Sequence, residues 1–154
     1  MMSDDSLIVR QRAAVVAEAR TWLGTPYHHM GRVKGAGVDC AMLPAEVYAA
    51  CGLIAPVRVD YYPMDWHLHR GSERYLAQVL DHAAPTDIPQ AGDFVLWRFG
   101  RCLAHGAIVI QWPRIIHAVN GLGVVEDDAD RPALSRLGGG DRERRFFTLW
   151  RQPS

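Results

Sequence analysis

Apolar positions recur at helical spacing in the first third of this chain and at strand spacing in its last. From Ser6 to Trp22, Ile8, Val15, Ala19 and Trp22 fall on one stripe with Arg10 and Arg20 opposite. That pattern predicts an amphipathic helix, stopped by Gly24-Thr25-Pro26. Arg12 lies at the edge of the stripe, where its stem can pack while its head is expected to stay wet. A second stripe, Cys40, Leu43, Val47, Tyr48 and Cys51, predicts a helix through Ala41 to Gly52. Asp39 is its expected N-cap and Gly52 its stop. Pro44, which lacks a backbone donor, suits the first turn. Met30 to Gly37, leading into this helix, reads as a flexible Gly-rich segment.

Leu53 to Leu68 is rich in Pro, Tyr, Asp and Trp without a clean period, and reads as an extended loop or insertion. Glu73 to Leu80 reads as a short helix ending before Pro85. From Pro89 the pattern changes to that of strands. Gly92 to Phe99 predicts one, with a turn beginning at Gly100-Arg101, and His105 to Trp112 a second. Pro113-Arg114 turns the chain into Ile115 to Val119, and Asn120-Gly121 is a hairpin signal before Gly123 to Glu126. Arg145 to Trp150 is the last candidate strand. Helices first and short strands afterwards predict an α+β fold with an antiparallel sheet.

Composition narrows the functional classes. A chain of 154 residues, 49% hydrophobic, fits one compact domain spanning residues 1–154. The formal net charge is zero and the two signs are intermingled, so no basic face for nucleic acid is expected. The N-terminus, Met1-Met2-Ser3-Asp4-Asp5, is acidic and lacks an apolar core, so no signal peptide and synthesis in the cytoplasm are expected. No apolar run approaches the roughly 20 residues of a membrane span. Three cysteines at irregular spacing make no disulfide framework.

Candidate chemistry centres on Cys40. At a helix N-terminus, unpaired N–H groups and the positive dipole end favour thiolate, although a buried, inert thiol is the ordinary alternative. A hairpin centred on Pro113 would set His117 opposite Val109, on the face that also carries His105. One imidazole can accept the thiol proton, and a second polar group can fix its tautomer. Cys, then His, then a polar orienter is the papain-like order. Two strand histidines also serve as ordinary structural residues. His28-His29 and His67-Leu68-His69 invite a metal reading, but neither pair has a third ligand at metal spacing, and no metal or cofactor is expected.

Gly24-Thr25-Pro26-Tyr27, Gly37-Val38-Asp39-Cys40, Pro89 to Leu96, His105 to Ile110 and Ile116-His117-Ala118, in that order, resemble the NlpC/P60 family of cysteine peptidases. The resemblance implies a papain-like α+β fold, with the Cys helix packed on an antiparallel sheet. It also implies hydrolysis of peptidoglycan stem peptides next to γ-D-glutamyl and diaminopimelate residues. By this resemblance Cys40 is the nucleophile, His105 the base and acid, and His117 the orienter. Tyr27 lies near the oxyanion position, and Asp39 binds the substrate amine.

Ala41-Met42 replaces the usual Ser-Gly after the Cys, removing a hydroxyl and adding bulk near the amine site. The stretch Tyr61-Tyr62-Pro63-Met64-Asp65-Trp66 resembles forms encoded with phage tail genes, which by analogy implies tail proteins as partners. An amidase or acyltransferase on the same scaffold, and a decayed tail-assembly protein, are the rival readings.

Overall fold

The computed structural model describes residues 3–57, 81–99, 102–137 and 140–150, and its helices and antiparallel sheet form the expected α+β fold. Helix α1 (Asp4–Thr21) starts earlier than its apolar stripe because Ser3 caps it, accepting from the Ser6 N–H at 3.2 Å. Val15, Ala19 and Trp22 are buried. Helix α2 (Met42–Ala50) turns Leu43, Val47 and Tyr48 inward, and Pro44 lies in its first turn. Gly52, at φ +72°, stops it as expected.

The approach to Cys40 is ordered where the sequence reads as flexible. Strands β1 (Arg32–Val33) and β2 (Gly37–Val38) form a small hairpin. Ion pairs of Arg32 with Glu46 at 2.6 Å and Lys34 with Glu18 at 2.9 Å tie it to both helices. Gly37 serves close packing, since a Cβ there would stand 2.6 Å from the Cβ of His28, whereas Gly35 turns the hairpin at φ +81°.

Six further strands make the main sheet. They are β3 (Ala84–Thr86), β4 (Phe94–Phe99), β5 (Cys102–Gln111), β6 (Arg114–Val119), β7 (Gly123–Asp128) and β10 (Arg144–Thr148), in the order β3-β10-β4-β5-β6-β7, every pair antiparallel. Helices α1 and α2 cover one face through Phe94, Leu96, Ile108, Ile116, Ala118 and Phe147. The other face buries Val95, Trp97, Ala107, Val109 and Ile115 under Ala129 and Leu134, the latter from the short helix α3 (Pro132–Ser135). Two covered faces explain why Phe94 to Trp97 is an unbroken apolar run and does not alternate. Strands β8 (Arg136–Leu137) and β9 (Gly140–Asp141) pair beyond α3.

Two expectations need correction. The head of Arg12 is not in water. It donates to Ala91 O at 2.9 Å, to Asp93 Oδ1 at 2.8 Å and to Thr148 Oγ1 at 3.3 Å, and stacks on Trp150. Asp93 is 1% exposed, and this buried pair clamps α1 to the start of β4 and the end of β10. The β5–β6 register also differs: Ile115, not His117, faces Val109, because the turn at Trp112-Pro113 is tighter and a register shift lies between Val109 and Gln111. The difference is two residues, so the face on which His117 sits is unchanged. The turn at Gly100-Arg101, most of the 53–68 loop, the 73–80 helix and His67 and His69 lie outside the described residues. No helix among the described residues is long and apolar enough to cross a membrane.

Candidate active site

Three chain segments meet at the sulfur of Cys40. The first is the 24–28 turn. Gly24 N donates to Val124 O at 3.0 Å, and Val124 N to Thr25 O at 2.9 Å. Gly123, at φ +83°, lets this approach happen, since a Cβ there would fall 2.6 Å from Thr25 O. Tyr27 then bridges to Val38 in parallel fashion and lies half-buried with its hydroxyl hydrogen-bonded to the Cys40 sulfur. Burial, then the neighbouring Cys40 and Asp39, raise the Tyr27 phenol well above its ordinary range, so it is a firm donor.

The second segment is the start of α2. Asp39 Oδ1 accepts from the N–H groups of Ala41 at 3.1 Å and Met42 at 2.9 Å, the capping expected of it. Its Oδ2 accepts from Met30 N at 2.8 Å, and the residue is 1% exposed. The carboxylate therefore ties the hairpin approach to the helix. Ala41 and Met42 are buried and line an apolar pocket with Pro44, Tyr48 and Phe147. Met42 is thus packed in the interior at the edge of this pocket.

The third segment is β5, whose Gly106 N–H donates to the same sulfur. Gly106 follows His105, which sits on the face of Trp97 and Ala107. The ring of His105 packs 5.5 Å from that of Phe99, and its Nε2 lies 2.8 Å from Nδ1 of His117. His117 is fully buried, and its Nε2 lies 2.9 Å from Oδ2 of Asp127. Asp127 in turn accepts from Arg131 Nη2 at 2.7 Å and from the Asp128 N–H at 2.8 Å.

Asp127 and Arg131 are members of this chain that sequence reasoning missed. A signal existed for Asp127. The Asn120-Gly121 turn pairs Val119 with Gly123 and His117 with Val125, and Asp127 is the next residue on that face.

The electrostatics correct one expectation. Burial is the main cause that pushes the Cys40 thiol up to about 12, and the charge of Asp39 adds to it. Hydrogen bonds from Tyr27 and from the N–H groups of Cys40 and Gly106 act in the opposite direction but do not prevail. Burial likewise pulls His105 down to about 3, helped by His117 and Arg142. At rest the thiol and the His105 imidazole are each neutral, so helix-end stabilisation of a thiolate is outweighed. His117 is lowered, chiefly by burial. Burial raises the Asp127 carboxyl, but the Asp128 N–H, His117 and Arg131 outweigh it and keep it below its ordinary value.

Of the other histidines singled out, His28 donates to His29 O at 3.0 Å, and His29 Nδ1 stands 3.9 Å from Asp39 Oδ2. Among the described residues no group of three or more His, Cys, Asp and Glu is placed to hold a metal ion.

The family model of NlpC/P60 matches residues 24–136, which contain Tyr27, Asp39, Cys40, His105, His117 and Asp127. The chain belongs to the NlpC/P60 family. Solved structures of the family share its fold at low identity. One is the NlpC/p60 domain of the peptidoglycan hydrolase SagA, 21% identical with a TM-score of 0.56, where 87% of this chain covers 96% of that one. NlpC1 from Trichomonas vaginalis is 17% identical with a TM-score of 0.60, covering 90% of this chain and 43% of its own. RipD from Mycobacterium tuberculosis, a non-catalytic NlpC/p60 domain protein adapted to a peptidoglycan-binding function, is 12% identical with a TM-score of 0.54, covering 91% and 98%. No curated protein sequence matches the chain significantly.

Proposed function

We propose that this NlpC/P60 chain is a cysteine peptidase that hydrolyses amide bonds in peptidoglycan stem peptides of the γ-D-glutamyl-diaminopimelate type. The observation that carries the reading is the meeting of the Cys40 sulfur with the N–H next to His105, a base whose Nε2 is already taken by His117. Nδ1 of His105 is then the nitrogen available for proton transfer. As the sulfur attacks the carbonyl carbon, Nδ1 takes the thiol proton. The Tyr27 hydroxyl and the Cys40 N–H are the donors placed to hold the oxyanion. Collapse breaks the C–N bond, and the imidazolium gives its proton to the leaving amine. Water, deprotonated by His105, then cleaves the thioester and restores the thiol.

A neutral resting pair suits this sequence, because proton transfer and attack occur together and no thiolate need persist. Carriage by a phage tail belongs to the same reading only by analogy of sequence. RipD supplies the contrasting case, a domain that binds peptidoglycan without cutting it. Incubation of the full chain with a γ-D-Glu-diaminopimelate peptide, followed by mass spectrometry, tests the proposal. Cleavage by the wild type and none by Cys40→Ala is expected. Cleavage retained by Cys40→Ala overturns the assignment, and binding without cleavage by the wild type puts the chain with RipD.

A further inference from the structure

The hydrogen-bonded chain does not end at the second imidazole. Asp127 is held on three sides: Oδ1 by the Asp128 N–H, Oδ2 by both Arg131 and His117. The turn that delivers Arg131 is itself fixed. Ala129 N donates to Pro113 O at 2.8 Å, Asp130 N to Asp128 Oδ1 at 2.8 Å, and Arg131 N to Asp128 O at 3.1 Å. We propose that Asp127, steadied by Arg131, is a positioning residue that sets the order of protons through both rings and leaves Nδ1 of His105 bare. This rests on the peptidase reading for its functional consequence, but its physical content does not.

The derivation is one of donor counting. A carboxylate only accepts, so Nε2 of His117 must carry the hydrogen pointing at Asp127. A neutral imidazole has one N–H, so Nδ1 of His117 is then an acceptor. The partner at 2.8 Å, Nε2 of His105, must donate. That leaves the lone pair of His105 on Nδ1, and a proton can be received there. Reversing the first bond reverses all of them, and Nδ1 of His105 would carry a hydrogen and could take no proton.

Both rings favour the neutral form that this counting requires. The charged groups facing them are Asp127 and Arg131 beside His117, and Arg142 toward His105. Asp127→Ala removes the acceptor that faces Nε2 of His117, so nothing holds the hydrogen on that nitrogen and the Nδ1–H form becomes accessible.

Long-range 1H–15N correlation NMR on the full chain with 15N-labelled histidine at pH 7.5 reads the tautomers directly. Protons on Nε2 of both His105 and His117 are expected in the wild type. In Asp127→Ala the Nδ1–H form of His117 should become populated, with kcat lowered about tenfold or more and KM within about twofold. Arg131→Gln, at a largely exposed position, should keep the wild-type tautomers and lose less activity.

Nδ1 protons in the wild type overturn the proposal with no variant needed, even if Asp127→Ala does not fold. Unchanged tautomers in a folded Asp127→Ala overturn it as well. A wild type that cuts no stem peptide while both rings carry Nε2 protons removes the peptidase reading and leaves the proton order standing.

Discussion

That the folded site refuses the proton an ordinary imidazole would bind can be read from the dependence of stability on pH. In the folded protein His105 titrates at about 3, against 6.5 for an ordinary imidazole. Between those values the unfolded chain binds a proton that the folded chain refuses, so acidification favours unfolding. At pH 5 an unfolded imidazole is roughly 97% protonated, and the folded one on the order of 1%. Integrating from pH 7 to pH 5 gives a loss of about 2 kcal/mol from this residue alone. His117, also lowered, adds to the loss in the same window. A thiolate–imidazolium pair holds the same number of protons and would give the same slope, so the ultraviolet absorbance of a thiolate, followed against pH in the wild type and in Cys40→Ala, is what separates it from the neutral pair. Urea denaturation of the full chain at pH 7, 6 and 5 measures the effect. His105→Gln should lose about one proton's worth of slope, roughly 1.4 kcal/mol per pH unit near pH 5. A wild type equally stable at pH 7 and pH 5, or a His105→Gln variant with the same slope, refutes the lowered titration of His105.

Four further outcomes follow from the packing and the site. His105→Ala should lower kcat/KM more than His117→Ala, since removing a proton carrier costs more than removing its orienter; equal or reversed losses in a stem-peptide assay count against these roles. Asp93→Ala leaves the Arg12 head, 12% exposed, without its buried carboxylate, and should lower unfolding free energy by about 3–5 kcal/mol in urea titration. Gly123→Ala must abandon φ +83° or displace Thr25, and should cost at least about 2 kcal/mol and weaken activity through Tyr27. Iodoacetamide at pH 6 should label Cys40 slowly, because its thiol titrates at about 12; rapid labelling there, traced by peptide mapping, would show the sulfur ionised.

The periodicities alone determined the fold class, both major helices and the order of the central strands. Those signals are local: an apolar stripe every three or four residues, a cap at Asp39 and a stop at Gly52. They also determined that His105 and His117 share a face, because even-numbered offsets survive a two-residue error in register. The β1–β2 hairpin was not legible, since its strands are two residues long and depend on ion pairs to α1 and α2. The dry setting of Arg12 was not legible either, because its partner Asp93 lies 81 residues away in sequence. Whether a helix end ionises its cysteine depends on how deeply the sulfur is buried and where Asp39 turns its charge. Those are distances across the folded chain, and only tertiary packing sets them.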